Sequence, residues 1–247
     1  MSIREELLDQ IWSGQDPFDY ASAEMTDFRY PDTNIKDGVI EAIATIIKPE
    51  FWLELGTMTG GSIIKVIQNF NRLKMNCSFV CIDPFTGDVN MWAWERELAE
   101  SHKWRYLNLL DGRPTIYDRF RANINKLQMA GQLIPLVCTS IIGLKLINRL
   151  ISEKRLSKRP DVIYLDSAHE PGETFLELLN CWNTVRDGGV IFGDDWSWDA
   201  VRGDVTKFAS QINVNYENVA KLLYHRPEAH FLENGIVVED GQWILFK

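Results

Sequence analysis

The feature that most limits what this chain can become is an alternation, repeated five times, of a short apolar run with a stretch of helical spacing. The apolar runs are residues 51–55, 78–82, 134–138, 162–165 and 190–192. They are nearly continuous rather than half polar, which is the pattern of strands buried on both faces. Between them, Val39, Ile40, Ile43, Ile46 and Ile47 share one helical face. The same spacing recurs over 62–70, from the third run to about residue 155, and over 171–184, while 91–130 is mixed and mostly helical. This pattern predicts an α/β fold, a doubly wound and mostly parallel sheet with helices on both faces. Two further candidate strands in the tail, 216–224 and 242–246, would pair antiparallel at an edge and bring the sheet to seven strands. Residues 1–35 read as a helix followed by a loop, with Trp12, Phe18, Tyr20, Phe28 and Tyr30, so the main domain is 36–247.

Composition narrows the class. The chain has 247 residues, 45% hydrophobic and 25% charged, enough to bury one large core. Lys plus Arg is 26 against 35 for Asp plus Glu, a net charge of −9 without a long basic run, which makes a nucleic-acid partner a poor fit. No run approaches the ~20 apolar residues of a membrane span, and the acidic start MSIREELLDQ does not resemble a signal peptide. Cys77, Cys81, Cys138 and Cys181 form no CxxC pair, so they read as reduced thiols of a cytoplasmic protein rather than zinc ligands.

In an open parallel sheet, ligands bind beyond the carboxyl ends of the strands. Here those ends carry Glu54 and Gly56, Asp83, Thr139 and Ser140, Asp166, and Asp194 with Asp195. Gly56 permits a tight turn, and Gly60-Gly61 let the next helix approach a ligand closely. The turn has neither GxGxxG nor a phosphate-loop GK[ST]; alone it is as readily a plain strand-to-helix connection. Asp83 can accept from both ribose hydroxyls of a nucleoside, or simply form the turn before Pro84. Three carboxylates, Asp166, Asp194 and Asp195, at neighbouring strand tips would repel unless a hard divalent ion sat among them. His169, three residues after Asp166, can lean over the same place and take a proton near neutral pH. Capping of the following helices accounts for single aspartates there, but not for a doubled Asp beside a His. Trp92, Trp94, Trp196 and Trp198 offer ring platforms or, equally, core and lid packing.

Taken together, ELGTMTGGS, CIDPF, VIYLDSAHE and RDGGVIFGDDW resemble the class I S-adenosylmethionine-dependent methyltransferases. Within these they resemble the metal-dependent O-methyltransferases, the macrolide-sugar (macrocin, mycinamicin) type and more distantly the catechol type, over about residues 36–210. The resemblance implies that Glu54, Gly56 and Gly60 line the methionine part of the cofactor, with Thr57 and Asp166 also in contact with it. It implies further that Ser62 reaches the methionine carboxylate, Asp83 holds the ribose and Ser140 lies near the adenine. Asp166, Asp194 and Asp195 would bind Mg²⁺. His169, with Asp166 beside it, would be catalytic, standing where catechol-type enzymes carry Lys and the sugar type carries His. The implied acceptor is a small-molecule hydroxyl, on a sugar or glycosylated natural product first and a catechol or phenol second. Family members often self-associate through N-terminal segments, which implies a homo-oligomer. Gly61 departs from the Tyr of the catechol branch, and 88–130 and the first 35 residues match no family segment.

Three other readings compete. A cephalosporin-hydroxylase-like protein would share the Asp-x-x-His and the acidic pair. An NAD-dependent dehydrogenase lacks support because GxGxxG is missing. A non-catalytic module of the same fold would not need Asp166, His169, Asp194 and Asp195 intact.

Overall fold

The strands that the apolar runs form are stacked in an order that opens a crevice beside the first of them. The computed structural model describes residues 2–18, 33–93, 107–167 and 169–247. Within these, β1 (Phe51–Leu55), β2 (Ser78–Ile82), β3 (Leu133–Leu136), β4 (Val162–Leu165) and β5 (Val190–Gly193) run parallel. β6 (His230–Phe231), β7 (Val237–Glu239) and β8 (Gln242–Phe246) follow, and the sheet order is β3-β2-β1-β4-β5-β8-β7-β6. β8 pairs antiparallel with both β5 and β7.

The sheet therefore has eight strands rather than the expected seven, and two details of the tail are corrected. Strand 242–246 forms as expected, but 216–224 is helical, within Tyr216–His225. Asn215 caps that helix by accepting from the backbone N–H of Asn218, and Val219 and Leu222 are its buried residues, one helical step apart. The aromatic ends that suggested a strand are exposed: Tyr216 is 58% and Tyr224 84% accessible. Strands β6 and β7 were not anticipated, since runs of two and three residues carry no readable period.

The helices among the described residues are α1 (Ile3–Trp12), α2 (Asp37–Ile47), α3 (Gly61–Arg72), α4 (Val89–Ala93), α5 (Ile116–Lys126), α6 (Ser140–Ser152), α7 (Glu173–Thr184), α8 (Asp199–Ala209) and α9 (Tyr216–His225). Side chains alternate across the sheet. Trp52, Phe79, Tyr164 and Phe192 face one side, where α2, α3, α5 and α9 cover them with Val39, Ile64, Phe120 and Leu222. Leu53, Val80, Ile163 and Ile191 face the other, covered by α1, α6, α7 and α8. Each such side chain stabilises the fold by about 1.5–3 kcal/mol relative to exposure. Trp52 anchors the first layer, edge-on to Phe70 at 5.8 Å and to Phe192 at 5.5 Å.

The edge strand β3 contains Pro135, tolerable at an edge because that position need not donate to a neighbour on both sides. Helix α1 lies against it, and the Trp12 indole donates to the Pro135 carbonyl at 2.9 Å. Ile3 and Leu7 of α1 belong to the second core layer. Of the four cysteines, Cys81 and Cys181 are buried and Cys77 and Cys138 half-buried. Of the features singled out in the sequence, Tyr20, Phe28, Tyr30, Trp94 and much of 91–130 lie outside the described residues.

Candidate functional site

From β1 the chain moves to β2 on one side, and β4 later lands on the other, so the loops after β1 and β4 part at a topological switch point. The two loops touch there. Gly56 has φ +79°, and a Cβ on it would lie 2.0 Å from the carbonyl oxygen of Asp166. No side chain fits that approach, so the glycine is a requirement of the loop pair rather than a convenience of one turn. Gly60, at φ +94°, supplies the left-handed residue that starts α3.

Asp83, at the tip of β2, holds the turn in shape. One of its oxygens accepts from the N–H groups of Thr57 (2.9 Å) and Met58 (2.7 Å), and the other from Phe85 at 2.5 Å. Burial raises its pKa and the three amides pull it back. A carboxylate has about four acceptor positions. Three are spent on the backbone here, so Asp83 is first a clamp on the β1–α3 turn and only then a ligand for a nucleoside.

Glu54 is fully buried on the α3 side of β1. Ser62 donates to its Oε1 at 2.8 Å, but Oε2 has no partner among the described residues, and neither does the buried Oγ1 of Thr57. Burial, reinforced by the charges of Asp166 and Asp83, pushes the Glu54 carboxyl up to about 8. The carboxyl therefore keeps its proton at neutral pH, and a positive charge bound beside it would shift it towards the ionised form.

Beyond β4 and β5, Asp166, His169 and Asp195 present ligating atoms all within 4.8 Å of one another. His169 Nε2 is 2.6 Å from Asp195 Oδ2, and its Nδ1 is 3.6 Å from Asp88 Oδ2. Burial and the charges of Asp194 and Asp195 lift Asp166 to about 7. Burial opposes protonation of His169, but the carboxylates of Asp195 and Asp88 outweigh it and raise the imidazole to about 10. Without another cation the ring itself is the positive charge of the group. Asp195 sits at φ +60°, a left-handed conformation that Asp tolerates better than most residues. Asp194 is outside this trio: its side chain is influenced by Asn34 and Lys36, and its backbone oxygen accepts from the Trp243 indole at 3.0 Å.

These groups border one cleft of about 690 Å³, a size suited to a cofactor with a small substrate. Gly56, Thr57, Ser62, Asp83, Ser140, Asp166 and His169 line it, whereas Glu54 sits behind the glycine turn and Asp194 and Asp195 lie on the far side of Asp166. Trp198 packs on His169 with ring centroids 5.0 Å apart, and Trp92 stands 43% exposed near Thr86, to whose carbonyl it donates. Trp196 packs against the second core layer.

Among the lining residues, the acids Asp88 and Glu177 and the hydroxyl of Ser167 were given no role by the sequence reading. Glu177 is buried on α7 and accepts from Ser167 at 2.8 and 2.9 Å and from Ser140, tying the α6 start to the β4 loop. Its signal was available, because an acid stands on the face that also buries Thr174, Leu178 and Cys181. Nothing local in the sequence marks Asp88, whose Oδ1 accepts from the backbone N–H of Met91.

A parallel sheet with a glycine turn at its switch point, a clamped acid on the next strand and an acid–imidazole group opposite places a ligand cleft where open α/β sheets have one. Comparison with known families goes further. A family model described as a methyltransferase domain matches residues 53–196, more than half of the chain, and the chain belongs to that family. Its fold is similar to that of an O-methyltransferase from Bacillus cereus solved in complex with SAH, at 14% identity and TM-score 0.51, covering 99% of this chain and 97% of that one. It is also similar to an SAH-bound methyltransferase from Podospora anserina, at 14% identity and TM-score 0.50, covering 93% of this chain and 86% of that one. No curated protein gives a significant match. Among the described residues, no helix is long and apolar enough to cross a membrane.

Proposed function

We propose that the chain transfers a methyl group from S-adenosylmethionine to a hydroxyl of a small molecule, a sugar or glycosylated natural product, with the help of a divalent cation. The observation that carries this reading is the meeting, in one cleft, of the Gly56 turn with Asp166 and His169, which Asp195 joins from behind Asp166. The residues fit both absent groups. Glu54 Oε2 and Thr57 Oγ1 lack partners beside the glycine turn, as a corner awaiting a ligand with donors and positive charge would. Asp166 and Asp195 supply the oxygen donors that a hard cation takes, and their carboxylates stand against each other without one.

S-adenosylmethionine, when bound, supplies a methyl carbon on a sulfonium sulfur, which keeps the electron pair of the breaking S–C bond as the acceptor oxygen forms the new C–O bond. A divalent cation at Asp166 and Asp195 would make an acceptor hydroxyl more acidic. The chain's own residues do the rest. Gly56 and Gly60 let the backbone approach the donor, Asp83 offers its remaining lone pair to ribose, and Ser140 stands at the end of the cleft assigned to the adenine. His169 would take the proton that leaves the acceptor oxygen once the pull of Asp195, which now keeps the ring charged, is relieved. The Trp198 ring beside it gives a ring-shaped acceptor a flat wall, which, with His169 in place of a lysine, favours a sugar over a catechol.

The test is transfer of labelled methyl from S-adenosylmethionine to panels of glycosides and of catechols, with and without chelator. S-adenosylhomocysteine at ~100 times its dissociation constant should add about 2.7 kcal/mol of stability. Failure of S-adenosylhomocysteine to stabilise the protein would sink the reading. The set of two carboxylates and one imidazole also suits a cation-dependent reaction of the cephalosporin-hydroxylase-like kind; cofactor binding without labelled product on either panel would favour it.

A further inference from the structure

One wall of the cleft is built from three chain segments that meet through hydroxyl hydrogens. Ser140 starts α6, Ser167 follows β4, and Glu177 stands on α7, buried yet bordering the cleft. The Glu177 carboxylate accepts from Ser167 at 2.8 Å on Oε1 and 2.9 Å on Oε2, and Oε1 accepts from Ser140 as well. A serine hydroxyl has one hydrogen and two lone pairs. Both hydrogens are committed to Glu177, so the two serines have only lone pairs left for a ligand. Glu177 has no hydrogen to offer either, and two incoming hydrogens do not fill its roughly four acceptor positions. Ile82, Ile141 and Leu176 border the same part of the cleft and make it otherwise apolar. The α6 start also presses on β2: a Cβ on Gly143 would lie 2.6 Å from Ile82, the neighbour of Asp83. A base attached to a ribose at Asp83 therefore lies within reach of this wall.

We infer that Glu177 sets which purine the cleft accepts: by drawing the hydrogens of Ser140 and Ser167 onto itself it makes a wall of acceptors alone, which takes a 6-amino purine and turns away a 6-oxo one. This rests on the methyl-transfer reading above, in which Ser140 stands at the adenine end. Glu177 acts largely through the two serines, so it is a positioning residue for base choice. An amino group at position 6 brings hydrogens to such a wall. A carbonyl there brings only lone pairs, which leaves acceptors facing acceptors away from water. Sites that bind a donor group by fixed acceptors reject the analogue lacking it for this reason.

Calorimetry compares S-adenosylhomocysteine with S-inosylhomocysteine, which carries an oxygen in place of the 6-amino group. Substitution Glu177→Gln keeps the size but replaces one oxygen by an NH₂. One serine then receives a hydrogen and turns its own towards the cleft, where a 6-oxo group can accept it. The natural protein should prefer the adenosyl compound by at least ~10-fold, and Glu177→Gln should shrink that ratio at least ~3-fold. A smaller preference in the natural protein, or a smaller change in the variant, overturns the assignment. A merely structural Glu177 would weaken both ligands together and leave the ratio alone. Should Glu177→Gln fail to fold, Ser140→Ala decides by the same ratio, since it removes one acceptor from the wall. Binding of both compounds without discrimination ends the base-choice inference and leaves the methyl-transfer reading standing. Absence of S-adenosylhomocysteine binding to the natural protein ends both.

Discussion

Replacing Glu54 by Gln tests the electrostatics of the cofactor corner without any ligand. The carboxyl is buried and lifted from 4.5 to about 8, so the folded chain binds this proton more tightly than the unfolded one. Between those values the unfolded chain has released the proton and the folded chain has kept it, so stability falls as pH rises. The slope is about 1.4 kcal/mol per pH unit, and the accumulated penalty above pH 8 is on the order of 5 kcal/mol. Glutamine keeps the size and an acceptor for Ser62 but has no proton to lose. Urea unfolding at pH 5.5 and 7.5 should therefore show Glu54→Gln gaining on the order of 3 kcal/mol on the natural protein over that interval. Saturating S-adenosylhomocysteine should narrow the gap in the natural protein, because its ammonium favours the ionised acid. Parallel pH curves for the two proteins would refute the claim that Glu54 is held protonated.

Gly56→Ala puts a methyl group 2.0 Å from the Asp166 carbonyl, so thermal unfolding should fall and affinity for S-adenosylhomocysteine should drop more than ~10-fold; unchanged calorimetry would show that the loops can separate freely. Asp204→Ala removes the oxygen that accepts from Gly172 and Phe175 N–H at 2.8 and 3.1 Å, and should cost about 1–2 kcal/mol by denaturant midpoint, with no loss read as solvent satisfying the α7 terminus. Asp195→Asn should weaken Mn²⁺ binding, followed by electron paramagnetic resonance, by at least ~10-fold, whereas equal affinity would remove Asp195 from the cation group.

The parallel half of the sheet could be read from the sequence because β1–β5 are buried on both faces and therefore show as apolar runs. The antiparallel half could not. Strand β7 buries Val237 and Glu239 but leaves Val238 partly open, and β6 is exposed, so neither announces itself. In 216–224 the aromatic ends Tyr216 and Tyr224 are exposed, and it is the helical step from Val219 to Leu222 that buries the segment. At the site, the residues at strand tips were legible because topology alone sends Gly56, Asp83 and Asp166 to one crevice. Asp88, Ser167 and Glu177 required knowledge of which helix starts face each other, information that spacing along one chain does not carry. Asp194 and Asp195 are adjacent in sequence and part in space, since the left-handed backbone at Asp195 turns its side chain to His169.

The three amide bonds to Asp83 also bear on how binding would proceed. They shape the wall that a nucleoside would meet before any nucleoside arrives, so the ordering entropy of that turn is spent during folding rather than on association. A pocket made rigid in this way admits ligands at rates set by encounter, and relatives of the cofactor would be told apart by how slowly they leave. Loosening the clamp would reverse that order, with entry itself becoming the slow and discriminating event.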